Sequence, residues 1–228
     1  MIELKNLSKN YFSSKKIDVL KKINYTFETG KIYSLVGPSG SGKSTLLNLI
    51  SLIDKPTSGF IKLNKIKIDD NDIEQKDTIR SKKIGIVYQD KNLLSDFTTL
   101  ENVYMARLSM NDNKKQAVLD AKNLIKKVGL DNRLNHFPNE LSGGESQRVA
   151  ISRALINSPE IILADEPTGN LDHKNAKDIF KLLFNLKNKK RIIIFATHNR
   201  YFADMSDCKL SLINGKISTI NVRNKKDF

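Results

Sequence analysis

One cysteine, Cys208, is all the thiol this chain carries. That excludes an internal disulfide framework, a CxxC redox pair and a multi-cysteine zinc site. Long apolar runs are missing as well. The longest, such as IIIFA at 192–196, fall far short of the ~20 residues a membrane-spanning helix needs. The opening MIELKNLSKN mixes charge into every few positions and has no apolar centre, so a secretory leader is not expected. Acidic residues are in deficit: 25 Asp and Glu stand against 39 Lys and Arg, a formal net charge of +14. A membrane-spanning subunit, a secreted disulfide scaffold and a zinc finger are thereby set aside. The expectation is a cytoplasmic enzyme or module whose 228 residues make one large α/β domain or two small ones.

Surplus positive charge can serve nucleic acid, anionic lipid or phosphate-bearing ligands. The lysines are spread along the chain and seldom interleave with aromatics, unlike a base-stacking platform. Their densest run falls on a predicted helix at 114–128. Ala117, Val118, Ala121, Leu124, Ile125 and Val128 mark one face there, and Lys114, Lys115, Lys122 and Lys126 the other. That is a solvated helix face, and no nucleic-acid partner is expected.

The periodicity has a clear order. The first thirty residues read as short β segments, with alternation at Val19, Ile23, Tyr25 and Phe27 and a turn at Thr29-Gly30. KIYSLV at 31–36 is an apolar run of the buried-strand type, and a glycine loop then passes into helical periodicity at Leu46, Leu47, Leu49 and Ile50. A strand is predicted from Ile84 to Tyr88, and residues from about 91 to 157 read as helical with no strand. Strand and helix then alternate: 160–165, a helix near 174–188, 191–196, and short strands near 208–213 and 216–221. Such interleaving predicts a mainly parallel sheet wrapped by helices, with the helical stretch inserted as a second lobe.

Gly37-Pro38-Ser39-Gly40-Ser41-Gly42-Lys43-Ser44 fits GxxxxGK[ST]. Glycines let backbone N–H groups turn inward and reach phosphate oxygens without Cβ clashes. The following helix aims its positive end at the same anion. Lys43 would neutralise the β and γ phosphates, and the Ser44 hydroxyl would bind Mg²⁺. By chance the pattern would occur in about 1% of chains of this length, and here it also lies between a predicted strand and a predicted helix. A nucleotide phosphate site follows.

Ile161-Ile162-Leu163-Ala164-Asp165-Glu166 is an apolar strand ending in two carboxylates. Asp165 suits a Mg²⁺ held through water, and Glu166 suits the general base or orienter of an attacking water. A strand running into a polar turn would explain the pair if the phosphate loop were absent. Leu141-Ser142-Gly143-Gly144-Glu145-Ser146-Gln147 opens a further helix, with Ser142 and Glu145 spaced as a capping box. Capping does not explain two adjacent glycines. Exposed N–H groups at that helix start suggest a second anion cradle, serving a nucleotide held by another subunit.

With these motifs in this order, the chain resembles the ATP-binding cassette ATPases over essentially its whole length. LSGGESQ resembles the family's signature motif, and Asp165 follows Leu141 by 24 residues. The resemblance implies an α/β P-loop NTPase of RecA-like type, with an N-terminal antiparallel β subdomain and an inserted α-helical subdomain. It implies a single domain over 1–228, its catalytic core at about 1–90 and 158–228 and its helical subdomain at about 91–157. ATP and Mg²⁺ are the implied cofactors. Tyr11 would stack on adenine, and Gly37 to Ser44 with Thr45 would hold the nucleotide. Gln89, in VYQDKNLL, would sense Mg²⁺ and the membrane subunit. Leu141, Ser142, Gly143, Gly144 and Glu145 would face the nucleotide of a second copy, Asp172 of Asn170-Leu171-Asp172 would cross the dimer interface, and His198 of FATHN would contact the γ-phosphate. His136 and His173 match no family catalytic position.

Within the family, EPTGNLD at 166–172 resembles a group that holds lipoprotein-releasing, cell-division and efflux or toxin-export ATPases. LLSDFTTLENVYM, RLNHFPNELSGGESQRVAISRAL and NSPEIILADEPTGNLD look most like the lipoprotein-releasing branch. The implied assembly is a homodimer on the cytoplasmic face of the inner membrane. There it would be a peripheral subunit, driving transmembrane permease subunits that extract lipoproteins. Two positions depart from the pattern: Ser95 stands where relatives often carry Pro, and Asn199 where Asp is common. A cassette acting on DNA or ribosomes is the remote alternative. Repair members carry a long coiled coil or zinc modules between the halves, which one cysteine and the 91–157 insertion do not supply. A regulator without turnover is the third reading, against which Glu166 and His198 both stand.

Overall fold

The computed structural model describes residues 1–12, 15–108, 110 and 113–220. The last residue of the strand expected at 216–221 and the domain limit at 228 lie outside the described residues. Strands β1 (Ile2–Phe12) and β2 (Lys16–Phe27) pair antiparallel, β3 (Ile32–Val36) leaves to begin a second sheet, and β4 (Ser58–Leu63) and β5 (Ile66–Lys67) return to the first. The resulting antiparallel order is β2-β1-β4-β5. Its inner face buries Ile2, Leu4 and Leu7. The step from Leu4 to Leu7 breaks the period of two, and a register shift between them absorbs the extra residue.

The second sheet adds β6 (Ile84–Val87), β7 (Ile161–Asp165), β8 (Ile192–Ala196), β9 (Cys208–Ile213) and β10 (Lys216–Ile220), in the order β10-β9-β3-β8-β7-β6. Every pairing is parallel except that of β10 with β9. The apolar runs of β7 and β8 are covered on both faces, as parallel strands require. Alternate residues face opposite layers. Leu163 and Ile194 pack with the first sheet and with Leu46, Leu49 and Ile50 of α1 (Lys43–Ile50), whereas Ile162, Ile193 and Phe195 pack under Ile179, Phe180 and Leu183 of α6 (His173–Asn185).

Between β6 and β7 the described chain is helical, as expected: α3 (Thr99–Leu108), α4 (Lys114–Lys127) and α5 (Gly143–Leu155) close on Val103, Ala121, Ile125, Val149 and Ile156. On α4 the buried positions are Ala117, Ala121 and Ile125, with the lysines outside. Four elements carried no readable signal in the sequence. Helix α2 (Ile73–Lys83) buries no residue, so it has no apolar stripe. Helix α7 (Arg200–Asp204) is barely one turn long, β5 has two residues, and β4 has a left-handed glycine, Gly59, as its second residue.

Candidate active site

Four neighbouring strands of the parallel sheet end on one edge, and each delivers sequence-predicted residues there. Strand β3 leads into the 37–42 loop and Lys43, β8 into His198, β7 into Asp165 and Glu166, and β6 into Gln89. Ligands of open α/β sheets bind beyond the carboxyl ends of their strands. The clustering of residues distant in sequence is therefore a product of strand order.

The phosphate loop is shaped for an anion. Gly42 precedes α1 at φ 100°, a left-handed geometry that glycine adopts freely. Helices α2, α4, α5, α6 and α7 each have their first N–H groups bonded by a side chain, and Thr98 does this for α3. Helix α1 has no such cap and no acid in its first turn, so its positive end stays open to a ligand. Ser41 Oγ, in the same loop, is buried without a hydrogen-bond partner. Ser44 and the loop residues Pro38, Ser39 and Gly40 are exposed. Open N–H groups, an orphaned hydroxyl and a buried lysine fit a polyphosphate.

Lys43 is buried and donates to the carbonyls of Gly37 (3.0 Å) and Pro38 (3.1 Å). His198 Nε2 lies 3.3 Å from Lys43 Nζ and 3.3 Å from Glu166 Oε1. Nε2 can accept from the ammonium when the ring proton sits on Nδ1. The backbone N–H of His198 donates to Glu166 Oε2 at 3.3 Å. Oε1 is buried with no hydrogen-bond donor aligned to it, the nearby ring included. Burial pushes the Glu166 carboxyl up from its ordinary pKa, against the His198 N–H and the His198 and Lys43 charges, which pull it down. The outcome is a carboxylate with an unused lone pair and a raised proton affinity, as a general base requires. Glu166 also sits at φ 42°, a left-handed backbone that costs a non-glycine residue about 1–2 kcal/mol.

For a divalent cation, the structure offers the exposed Ser44 hydroxyl and the half-buried Asp165 carboxylate. No group of three His, Cys, Asp or Glu converges among the described residues. Such a sparse donor set suits Mg²⁺, which completes its shell with water and substrate phosphate oxygens.

Tyr11, at the end of β1, is 42% exposed, and its hydroxyl donates to Asp54 at 2.9 Å. Lys9 bonds the same carboxylate at 2.6 Å, with its ammonium 4.8 Å from the Tyr11 ring. The ring is thus fixed at the rim with a face available. Gln89 is exposed, and its amide nitrogen packs 3.1 Å from where a Cβ would stand on Gly169, in the turn that follows Glu166. Asn199 caps α7 by accepting from the N–H groups of Tyr201 (3.0 Å) and Phe202 (3.4 Å). Asp caps equally well, so this departure leaves the backbone beside His198 supported.

The signature residues lie apart from this cluster. Ser142 and Glu145 form the expected capping box, at 3.3 Å and 2.8 Å. Arg133 grips Glu145 at 2.8 Å and, with the Ser142 N–H, holds the glutamate's pKa down to about 2. Gly144 has a packing reason that the sequence does not disclose: a Cβ there would stand 2.6 Å from Asn175 Oδ1. Asn175 is in turn tied to Asp172, which caps α6. Ser142 and Gly143 are exposed, and no hydrogen bond joins residues 141–145 to the 37–45 loop among the described residues. Arg133, Asn175 and Asp54, which hold predicted residues in place, belong to no motif and went unforeseen.

A glycine-loop lysine beside a strand-end acid pair, on a parallel sheet with this order, defines a P-loop nucleoside triphosphatase. Residues 20–169 match the ABC transporter family. Two relatives, each named lipoprotein-releasing system ATP-binding protein LolD, come from Rickettsia conorii and Cytophaga hutchinsonii. They are 45% identical over 206 residues (90% of this chain, 91% of the relative) and 43% identical over 202 (88% and 92%). A solved dimeric structure of a post-hydrolysis state of the ATP-binding cassette MJ0796, bound to ADP and Pi, matches with a TM-score of 0.90 at 38% identity. The match covers 98% of this chain and 100% of that one. The chain belongs to the ABC transporter family, as an ATP-binding ATPase cassette.

Proposed function

We propose that the protein hydrolyses ATP as a head-to-tail homodimer on the cytoplasmic face of the inner membrane, driving permease subunits that release lipoproteins. The dimer rests on one observation above all: Ser142 and Gly143 of the signature are exposed, and no hydrogen bond among the described residues joins the signature to its own phosphate loop. A second copy can therefore bring them to the γ-phosphate. In this reading the core comprises about 1–90 and 158–228, with 91–157 as the helical subdomain. Tyr11 stacks on adenine, Gly37 to Thr45 wrap the phosphates, and Lys43 exchanges its loop carbonyls for β and γ oxygens. Ser44, Gln89 and, through water, Asp165 would hold Mg²⁺. When bound, the metal would offset the charge that develops on the phosphate oxygens.

Glu166 orients a water and takes its proton as the oxygen attacks phosphorus and the bond to the bridging oxygen of ADP breaks. Lys43 and His198 stabilise the charge gathering on the γ oxygens. Leu141 to Glu145 of the second copy close the site, with Asp172 at the interface. Loss of the γ-phosphate removes the bridge between copies, and the dimer reopens. Lipoprotein as cargo is carried by relatives that bear that name at 41–45% identity across most of both lengths. To test it, a tagged Glu166→Gln form is recovered from gently solubilised membranes with ATP. Copurifying membrane subunits with lipoprotein bound are expected. A division-type or efflux-type partner would overturn the cargo, and only soluble or nucleic-acid partners would overturn the transporter reading.

A further inference from the structure

The guanidinium of Arg153, on α5, is half-buried and meets no carboxylate among the described residues. It donates instead to two consecutive carbonyls, from Nη1 to Asn92 O at 2.6 Å and from Nη2 to Lys91 O at 2.6 Å. A half-buried cation that directs both of these hydrogen bonds at neutral backbone is unusual unless that backbone must be held. Burial lowers its pKa from the ordinary arginine value. Both residues it grips are left-handed and neither is glycine: Lys91 has φ 33° and Asn92 φ 48°. A turn of this kind persists when something outside it fixes its shape. One residue, Asp90, separates it from Gln89, whose side chain packs against Gly169 in the turn after Glu166. Beyond it, Asn102 of α3 binds the carbonyls of Leu94, Phe97 and Thr98 at 2.9–3.0 Å. The chain leaving β6 is thus free at Gln89 and fastened to the helices from residue 91 onward.

We infer that Arg153 is a positioning residue for Gln89, locking the 89–92 turn to the same helix whose first residues are the signature Gly143-Gly144. Ten residues of α5 separate Gly143 from Arg153, about 15 Å of rigid helix. A nucleotide engaged at the signature end by a second copy is thereby tied to the placement of Gln89 at this chain's own nucleotide. This rests on the Gln89 role and the dimer proposed above.

The test compares wild type, Arg153→Ala, Arg153→Lys, Gln89→Ala and the Arg153→Ala/Gln89→Ala double variant, as full-length protein. Turnover is read at saturating Mg·ATP, and ATP affinity by fluorescence of a labelled nucleotide. Arg153→Ala is expected to lower kcat at least about tenfold, through misplacement of a site group, with ATP affinity within about twofold. Arg153→Lys keeps the charge but replaces the planar two-pronged fork, which meets one carbonyl with each terminal nitrogen, by a single ammonium nitrogen on a flexible stem. It should show the same kcat defect, which keeps the test open if the alanine variant folds poorly. Added to Gln89→Ala, the arginine change should cost almost nothing more. Wild-type kcat in Arg153→Lys, or losses that multiply in the double variant, would overturn the inference and leave Gln89 untouched. Normal turnover in Gln89→Ala would overturn it from the other side, by removing the Gln89 role itself.

Discussion

Glu166, His198 and Lys43 lie far apart in the chain and within 3.3 Å contacts in space. Lys43 and Glu166 were expected because phosphate chemistry demands their types at a fixed place after a strand, and His198 was expected only through the family resemblance. The residues that hold them were not. Asp54 on Tyr11, Arg133 on Glu145 and Asn175 against Gly144 act only through contact, and no spacing announces a contact. Arg133 permits a direct check. Glu145 is held at a pKa of about 2 against an ordinary 4.5. A lowered folded-state pKa gives stability that is complete above about pH 4.5 and is lost as pH falls toward 2. Urea midpoints of wild type and Glu145→Gln should therefore differ most above pH 4.5 and converge on acidification. A gap that ignores pH would contradict the Arg133 clamp.

At the scale of elements, the buried strands and the amphipathic helices were readable from their periods. Expected spans at 31–36, 84–88, 160–165, 191–196 and 208–213 became β3, β6, β7, β8 and β9 within a residue or so at each end. Helix α2 was silent because Ile73 and Ile79 are its only apolar residues and make no stripe, and α7 because five residues carry no period. The 91–157 insertion was visible as helix but not its ties to the 89–98 segment, which are made through single arginine and asparagine side chains. The meeting of α5 and α6 was equally hidden. It depends on Gly144, where an added Cβ meets Asn175 Oδ1 at 2.6 Å, and Asn175 is held by Asp172. Gly144→Ala should destabilise the protein by about 1–3 kcal/mol through overpacking. In an Asn175→Ala background the same change should become neutral or stabilise by up to about 1 kcal/mol, the helix preference of Ala over Gly. Thermal melts of the four proteins decide it, and equal effects in both backgrounds would exclude the packing explanation.

The whole molecule carries two half-sites that do not meet. The phosphate loop, with its uncapped helix and orphaned Ser41 hydroxyl, lies at one sheet edge, and the signature turn is packed on α6. Strand order explains the first. In the proposed dimer, a second copy gives the second its ligand. The most direct measurement is light scattering of the purified protein with saturating Mg·ATP, alongside phosphate release. Glu166→Gln should keep ATP affinity, lose turnover by about 10²-fold or more, and accumulate at twice the 25.8 kDa chain mass. Lys43→Ala should lose nucleotide affinity and remain single. A Glu166→Gln protein that hydrolyses ATP at the wild-type rate, or binds ATP and stays single, would contradict the account.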